Sequence, residues 1–180
     1  MNKLNAVTNN TASEKSKILF GRIKNSIGIL PNIYAVIGNS AVALESYLTF
    51  SELLKNCSFN AKEQEAIFLA VSESNGCNYC VSAHTALARM NGFSEEETLE
   101  LRAGTIKDIR YNVLTNLAKS IVENRGRADE KLIDAFYEMG FKSDALVELV
   151  ALVIEKSFTN YIGRLAKPEI DFPIAKTINT

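Results

Sequence analysis

Proline is missing from residues 32 to 167 of this 180-residue chain; its three prolines are Pro31, Pro168 and Pro173. A long proline-free span rich in Ala, Leu, Glu and Lys reads as helices interrupted at glycines. Period-two alternation, the mark of a half-buried strand, is hard to find anywhere in it. Caps and apolar spacing predict helices near 13–27, 32–55, 61–74, 77–91, 95–104, 108–125, 128–139 and 144–166. Two of the starts pair a capping residue with a Glu three positions on, Asn60 with Glu63 and Ser94 with Glu97. Asn91-Gly92 reads as a helix stop and turn. Ile109, Val113, Leu117 and Ile121 recur every four residues, as a buried stripe does. The expected fold class is all-α: a single-domain helical bundle over 13–180, a flexible N-terminal segment over 1–12, and an extended tail after Pro168.

Net charge is −1, which argues against nucleic acid as the partner, since phosphate binding needs a basic surplus. No stretch approaches the roughly 20 apolar residues of a membrane span, and the first twenty residues lack the apolar core of a signal peptide. The expectation is a cytoplasmic, reducing setting with no membrane partner. "ALVELVALVIEKSF", from Ala145 to Phe158, is apolar nearly all round, so it belongs in a core or a subunit interface. Glu148 inside it needs a partner, because burying a lone carboxylate is expensive. "EAIFLAVSESNGCNYC" and "ELVALVIEKSFTNYIG" echo each other faintly. Aligned from Glu65 and Glu148, they set Asn160 over Cys77 and Gly163 over Cys80, a degenerate internal repeat with one chemically equipped half.

Cys77, Cys80 and the chain's only histidine, His84, fall within eight residues. At about 100° per residue they share one sector of a helix, and Cys80 and His84 are an i,i+4 pair. Asn75-Gly76 supplies a turn just before them, so both sulfurs belong to the first turn. A helix N-terminus and a neighbouring imidazole both favour the reactive thiolate. A Cys-x-x-Cys pair placed there can close to a disulfide, one sulfur attacking and the other resolving. Glu65 opens the preceding apolar run, from which its carboxylate can orient His84 and relay protons. Tyr79 reads as a packing residue with a supporting hydroxyl, and Cys57, at a helix end, as an inert core thiol. Zinc is the functional rival for these side chains. Structural zinc sites join distant segments, whereas here three ligands crowd one helix, so no bound metal is expected.

Glu65-x11-Cys77-x2-Cys80-x3-His84, with "LAVSESNGCNYC" inside it, resembles the signature of the alkyl hydroperoxidase D branch of the carboxymuconolactone decarboxylase family. "GILPNIYAVIGNSAVALESYLTFSELL" upstream and "GFSEEET" and "VELVALVIEKSFTNYIGRLA" downstream resemble its peroxidase-related members. The resemblance implies an all-helical subunit assembled as a homotrimer or homohexamer. It implies thiol-dependent reduction of a small hydroperoxide, without a bound cofactor, by Cys77 and Cys80 as redox pair, His84 as base and Glu65 as relay. An external dithiol, a lipoyl group or a thioredoxin-like protein, then recharges the pair, and a lipoyl-bearing protein or a peroxiredoxin is the implied partner. One departure stands out: that branch has a second histidine where this chain has Tyr79, whose phenol does not titrate near neutrality. Cys80, next to His84, is read as the attacking thiolate and Cys77 as the resolving one, with the reverse order open. Two other readings stay open: a cofactor-free lyase of the decarboxylase type, and a non-enzymatic redox-switch protein.

Overall fold

Short polar side chains set most of the helix starts. A computed structural model describes residues 4–178, and among them nine helices follow one another with no strand. Ser13 accepts from the Ser16 N–H to open α1 (Glu14–Ile27). Asn60 and Glu63 form a reciprocal capping box for α4 (Ala61–Ser74), and Ser94 and Glu97 another for α6 (Glu95–Ala103). Asp108 caps α7 (Ile109–Glu123) and Asp129 caps α8 (Glu130–Glu138). Each such cap contributes on the order of 1 kcal/mol.

The helix expected over 32–55 is two helices. Gly38 ends α2 (Asn32–Ile37), and Ser40 starts α3 (Ala41–Leu54) by accepting from the Ala43 N–H. The break frees α2 to lie on α9 (Ser143–Ala166) while α3 crosses both α1 and α9. In α7, Val113, Leu117 and Ile121 are buried as expected, but Ile109 is exposed at the first turn. Beyond Ala166 the chain is non-helical and runs back over the molecule. At the other end, residues 4–12 follow α2: the Val7 N–H donates to the Ala35 carbonyl, and Asn39 Nδ2 to the Asn5 carbonyl. Residues 1–3 of the expected flexible segment, and residues 179–180 of the expected domain, lie outside the described residues.

α4 is the axis of the bundle. Ala66 through Val71 are buried without a gap, so this helix has no solvent face along its middle, as an all-round apolar run requires. One core fills between α4, α7, α8 and α9 around Ile67, Leu114, Leu117, Phe136 and Leu149. A second core joins α1, α2 and α3 to the region of Cys77 and Cys80, with Leu19, Phe20 and Leu44. Full burial of such side chains is worth about 1.5–3 kcal/mol each. The inner face of α9 enters the core through Leu149, Leu152 and Val153, while Val147, Val150, Ile154, Tyr161 and Leu165 form an exposed apolar stripe. Glu148 finds its partner in the Ser58 N–H, at 2.8 Å. Among the described residues no helix is long and apolar enough to cross a membrane.

Candidate active site

The turn between α4 and α5 (Asn78–Met90) is where the reactive residues gather. Gly76 takes a left-handed backbone, φ 64°, which an L side chain strains to adopt. That reversal makes Cys77 the N-cap of α5, its sulfur accepting from the Cys80 N–H at 3.3 Å. The two cysteines are joined as a disulfide, their Cα atoms 5.3 Å apart.

Helix α9 braces this turn from behind. Asn160, fully buried, accepts from Asn75 Nδ2 at 2.9 Å and donates to Ser72 Oγ, and Arg164 Nη1 donates to the Asn75 carbonyl at 2.8 Å. One turn from Asn160, Gly163 packs on the sulfurs; a β-carbon there would lie 2.8 Å from Cys77 Sγ and 3.6 Å from Cys80 Sγ. The faint repeat thus relates unlike shapes, a helix–turn–helix in one copy and one continuous helix in the other. The α9 residues it sets over the cysteines are nonetheless the ones that touch their turn.

His84 lies one turn beyond Cys80 and meets Glu65 from α4, with Nδ1 to Oε2 at 2.8 Å. Both side chains are nearly buried. A carboxylate accepts only, so Nδ1 carries the proton and Nε2 is left as the basic nitrogen. Burial pushes the His84 pKa below its ordinary value, the Lys156 charge pushes it the same way, and Glu65 opposes both. The imidazole is therefore held neutral and able to take a proton. Lys62 turns away from Glu65 to the Gly92 carbonyl and the Phe93 ring.

Lys156, inside the apolar run of α9, completes this group. It is buried, and its ammonium sits 4.2 Å from the centre of the Phe68 ring, the same ring that lies 5.2 Å from the imidazole. Its neighbour Glu155 is also buried and accepts from the Tyr47 hydroxyl. The segment is apolar nearly all round in sequence, and the adjacent Glu155-Lys156 pair near its end is the signal that points to this buried charge.

Cys80, His84 and Lys156 all line a cavity of about 490 Å³ whose remaining walls include Ile33, Leu87, Met90 and Phe172. Tyr79 lines it too. Its hydroxyl donates to Asp171 Oδ1 at 2.6 Å and accepts from the Ile33 N–H, and burial with that carboxylate holds its pKa far above the ordinary phenol value. Asp171 also accepts from the Asn32 N–H, and Phe172 sets its edge against the Tyr79 ring. The tail thereby closes one side of the cavity. Cys77 opens instead onto a second hollow, about 470 Å³, bordered by Arg164, Lys167 and Ile170. Cys57 is half-buried and remote from both sulfurs, weakly bonded to the Phe59 carbonyl. Among the described residues no group of three or more His, Cys, Asp or Glu side chains is arranged to hold a metal ion.

Residues 43–109, which run from α3 through this site, match the carboxymuconolactone decarboxylase family. Comparison with curated proteins gives no match. Among solved structures, the chain superposes on an uncharacterized peroxidase-related protein from Silicibacter sp. TM1040 with a TM-score of 0.79 and 18% identity, over 94% of this chain and 92% of that one. The alkylhydroperoxidase AhpD core of a peroxidase-related protein from Ralstonia eutropha JMP134 gives 0.76 and 18%, over 90% and 87%. The debrominase Bmp8 gives 0.78 and 15%, over 95% and 93%, and a variant of it has been solved in complex with 2,3,4-tribromopyrrole. At these identities the superpositions speak for the fold, while Glu65, Cys77, Cys80 and His84 lie inside the matched segment. Residues 43–109 of the chain thus carry the likeness to the carboxymuconolactone decarboxylase family, and the chain as a whole has the helical fold of the alkylhydroperoxidase-like, peroxidase-related proteins.

Proposed function

We propose that the protein is an antioxidant thiol oxidoreductase that reduces hydroperoxides at Cys80. The observation that carries this reading is the joined Cys77–Cys80 pair at the start of α5, with the His84–Glu65 pair one turn along the same helix. In the reduced state His84 Nε2 takes the Cys80 proton, and the thiolate attacks the peroxide oxygen. Sulfur loses two electrons and becomes sulfenic acid while the O–O bond breaks and an alcohol leaves. Cys77 then attacks the Cys80 sulfur, forming the disulfide and releasing water. An external dithiol, lipoyl or thioredoxin-like, returns the pair to thiols. We further propose that the subunit works as a homo-oligomer, a trimer or hexamer.

A second substrate for the same electrons is favoured by the apolar cavity and the likeness to a debrominase: a halogenated aromatic ring. The test is consumption of cumene hydroperoxide, and separately bromide release from 2,3,4-tribromopyrrole, with dihydrolipoamide or thioredoxin as donor. Wild type should turn over with one of the donors. Cys80→Ser should be inert, and Cys77→Ser should stop after one turnover with a sulfenic acid trapped on Cys80. Full turnover by both serine variants would overthrow the redox reading and favour the lyase.

A further inference from the structure

We propose that Lys156 is the acid that protonates the oxygen expelled when Cys80 attacks a hydroperoxide. The proposal rests on the peroxidase reading above and assigns a residue that reading does not use. Lys156 is only 4% exposed, yet its side chain lines the cavity that Cys80 and His84 share. Among the described residues its ammonium has no hydrogen bond and no ion pair; its contact is the face of Phe68. The carboxylates nearest in electrostatic effect are Glu155 and Glu65, and these serve the Tyr47 hydroxyl and His84. Three N–H donors therefore face a mostly apolar cavity in which no described protein group accepts from them, and a molecule bound there can supply the acceptor. Attraction to the Phe68 ring offsets part of the cost of burying the charge.

The chemistry of the bond cleavage asks for such a donor. When the thiolate attacks the outer oxygen, an S–O bond forms and the O–O bond breaks, its electron pair leaving on the alkoxide side. An alkoxide is a poor leaving group and needs a proton as it departs; an N–H of Lys156 gives it, and the product is the alcohol. The proton that His84 took from Cys80 then returns to the Lys156 amine, directly or through water. The sum is thiol plus hydroperoxide giving sulfenic acid plus alcohol, with no charge gained or lost. Burial lowers the Lys156 pKa, which makes the ammonium a readier acid than a surface lysine.

Leaving-group dependence tests this. A peroxy acid expels a carboxylate, which departs without a proton, so an acid catalyst matters for an alkyl hydroperoxide and not for a peroxy acid. Reduced full-length protein is mixed with cumene hydroperoxide or with peroxybenzoic acid, and the first-turnover oxidation of the cysteines is followed. Lys156→Met, close in shape to lysine, should slow the cumene hydroperoxide reaction about 100-fold or more and change the peroxybenzoic acid rate less than about fivefold. Lys156→Arg keeps the charge but holds its proton, so it should stay slow with cumene hydroperoxide; full recovery by Arg would mean that charge alone is at work and would overturn the assignment. Near-normal reaction with the peroxy acid also reports that the variant is folded and its thiols are competent. Equal slowing with both oxidants, or slowing with neither, overturns the assignment. Wild-type protein that reacts with neither oxidant overturns the peroxidase reading and this proposal with it.

Discussion

Gly163 of α9 faces Cys77 so closely that a β-carbon in its place would meet the cysteine sulfur at 2.8 Å. The sulfur has nowhere to retreat, since it is tied to Cys80 and also caps α5. Gly163→Ala must therefore push α9 off the turn, at about 1–3 kcal/mol of overpacking. Denaturant unfolding of the oxidised protein measures this, and an unchanged midpoint would mean that the two elements do not touch.

Acid should weaken the protein through His84. Its native pKa is depressed, by burial first and by Lys156 second, so its contribution to stability is fully present above the unfolded value of about 6.5. As pH falls below that value the unfolded chain binds the proton before the native protein does. Stability declines until pH has passed the lower native value, then levels off. Unfolding free energy followed from pH 7 to pH 4 should fall more steeply for wild type than for His84→Gln; parallel curves would refute the account. Glu65→Gln keeps an acceptor but removes the charge that favours imidazolium, and should lower peroxide turnover about 100-fold.

Tyr79 fastens the tail. Its hydroxyl bond to Asp171 is part-buried and joins a charged acceptor, so Tyr79→Phe should cost about 1.5–3 kcal/mol. Amide exchange over residues 168–178 should quicken beyond the change elsewhere. A uniform change along the chain would show that the tail is held by its other contacts, such as Ala175 N–H to Ser82 and Lys176 to Glu95.

The exposed stripe on α9, Val147, Val150, Ile154, Tyr161 and Leu165, has the three-and-four spacing with which one helix packs on another. On the homo-oligomer proposed above, the matching face would come from a second copy of the chain. Ile154→Lys should shift the species seen by light scattering to lower mass without loss of helix content. A wild-type protein that is monomeric at micromolar concentration would refute self-association here.

Much of this architecture was legible because it is local. Capping boxes at Asn60 and Ser94, the turn at Asn75-Gly76 and the helical spacing of Cys77, Cys80 and His84 are all short-range patterns. The break at Gly38–Ser40 was readable too, but the apolar run NIYAVI before it and the good helix formers after it masked it. Glu65 meeting His84 required that α4 and α5 pack side by side, which the short turn between them makes probable from sequence. Lys156 and Asp171 were out of reach for another reason. Each lies more than 70 positions from the groups it faces, and only the closure of α9 and the tail over α5 brings them near.

The bond between Cys77 and Cys80 stands in a wall with a room on each side. One room is oily and holds the imidazole; the other is rimmed by Arg164 and Lys167. On the redox function proposed above, a greasy guest would occupy the first while an electron donor approached from behind, and the two visitors would not have to queue for one doorway. On that reading, plugging the oily room would leave the other entrance in service.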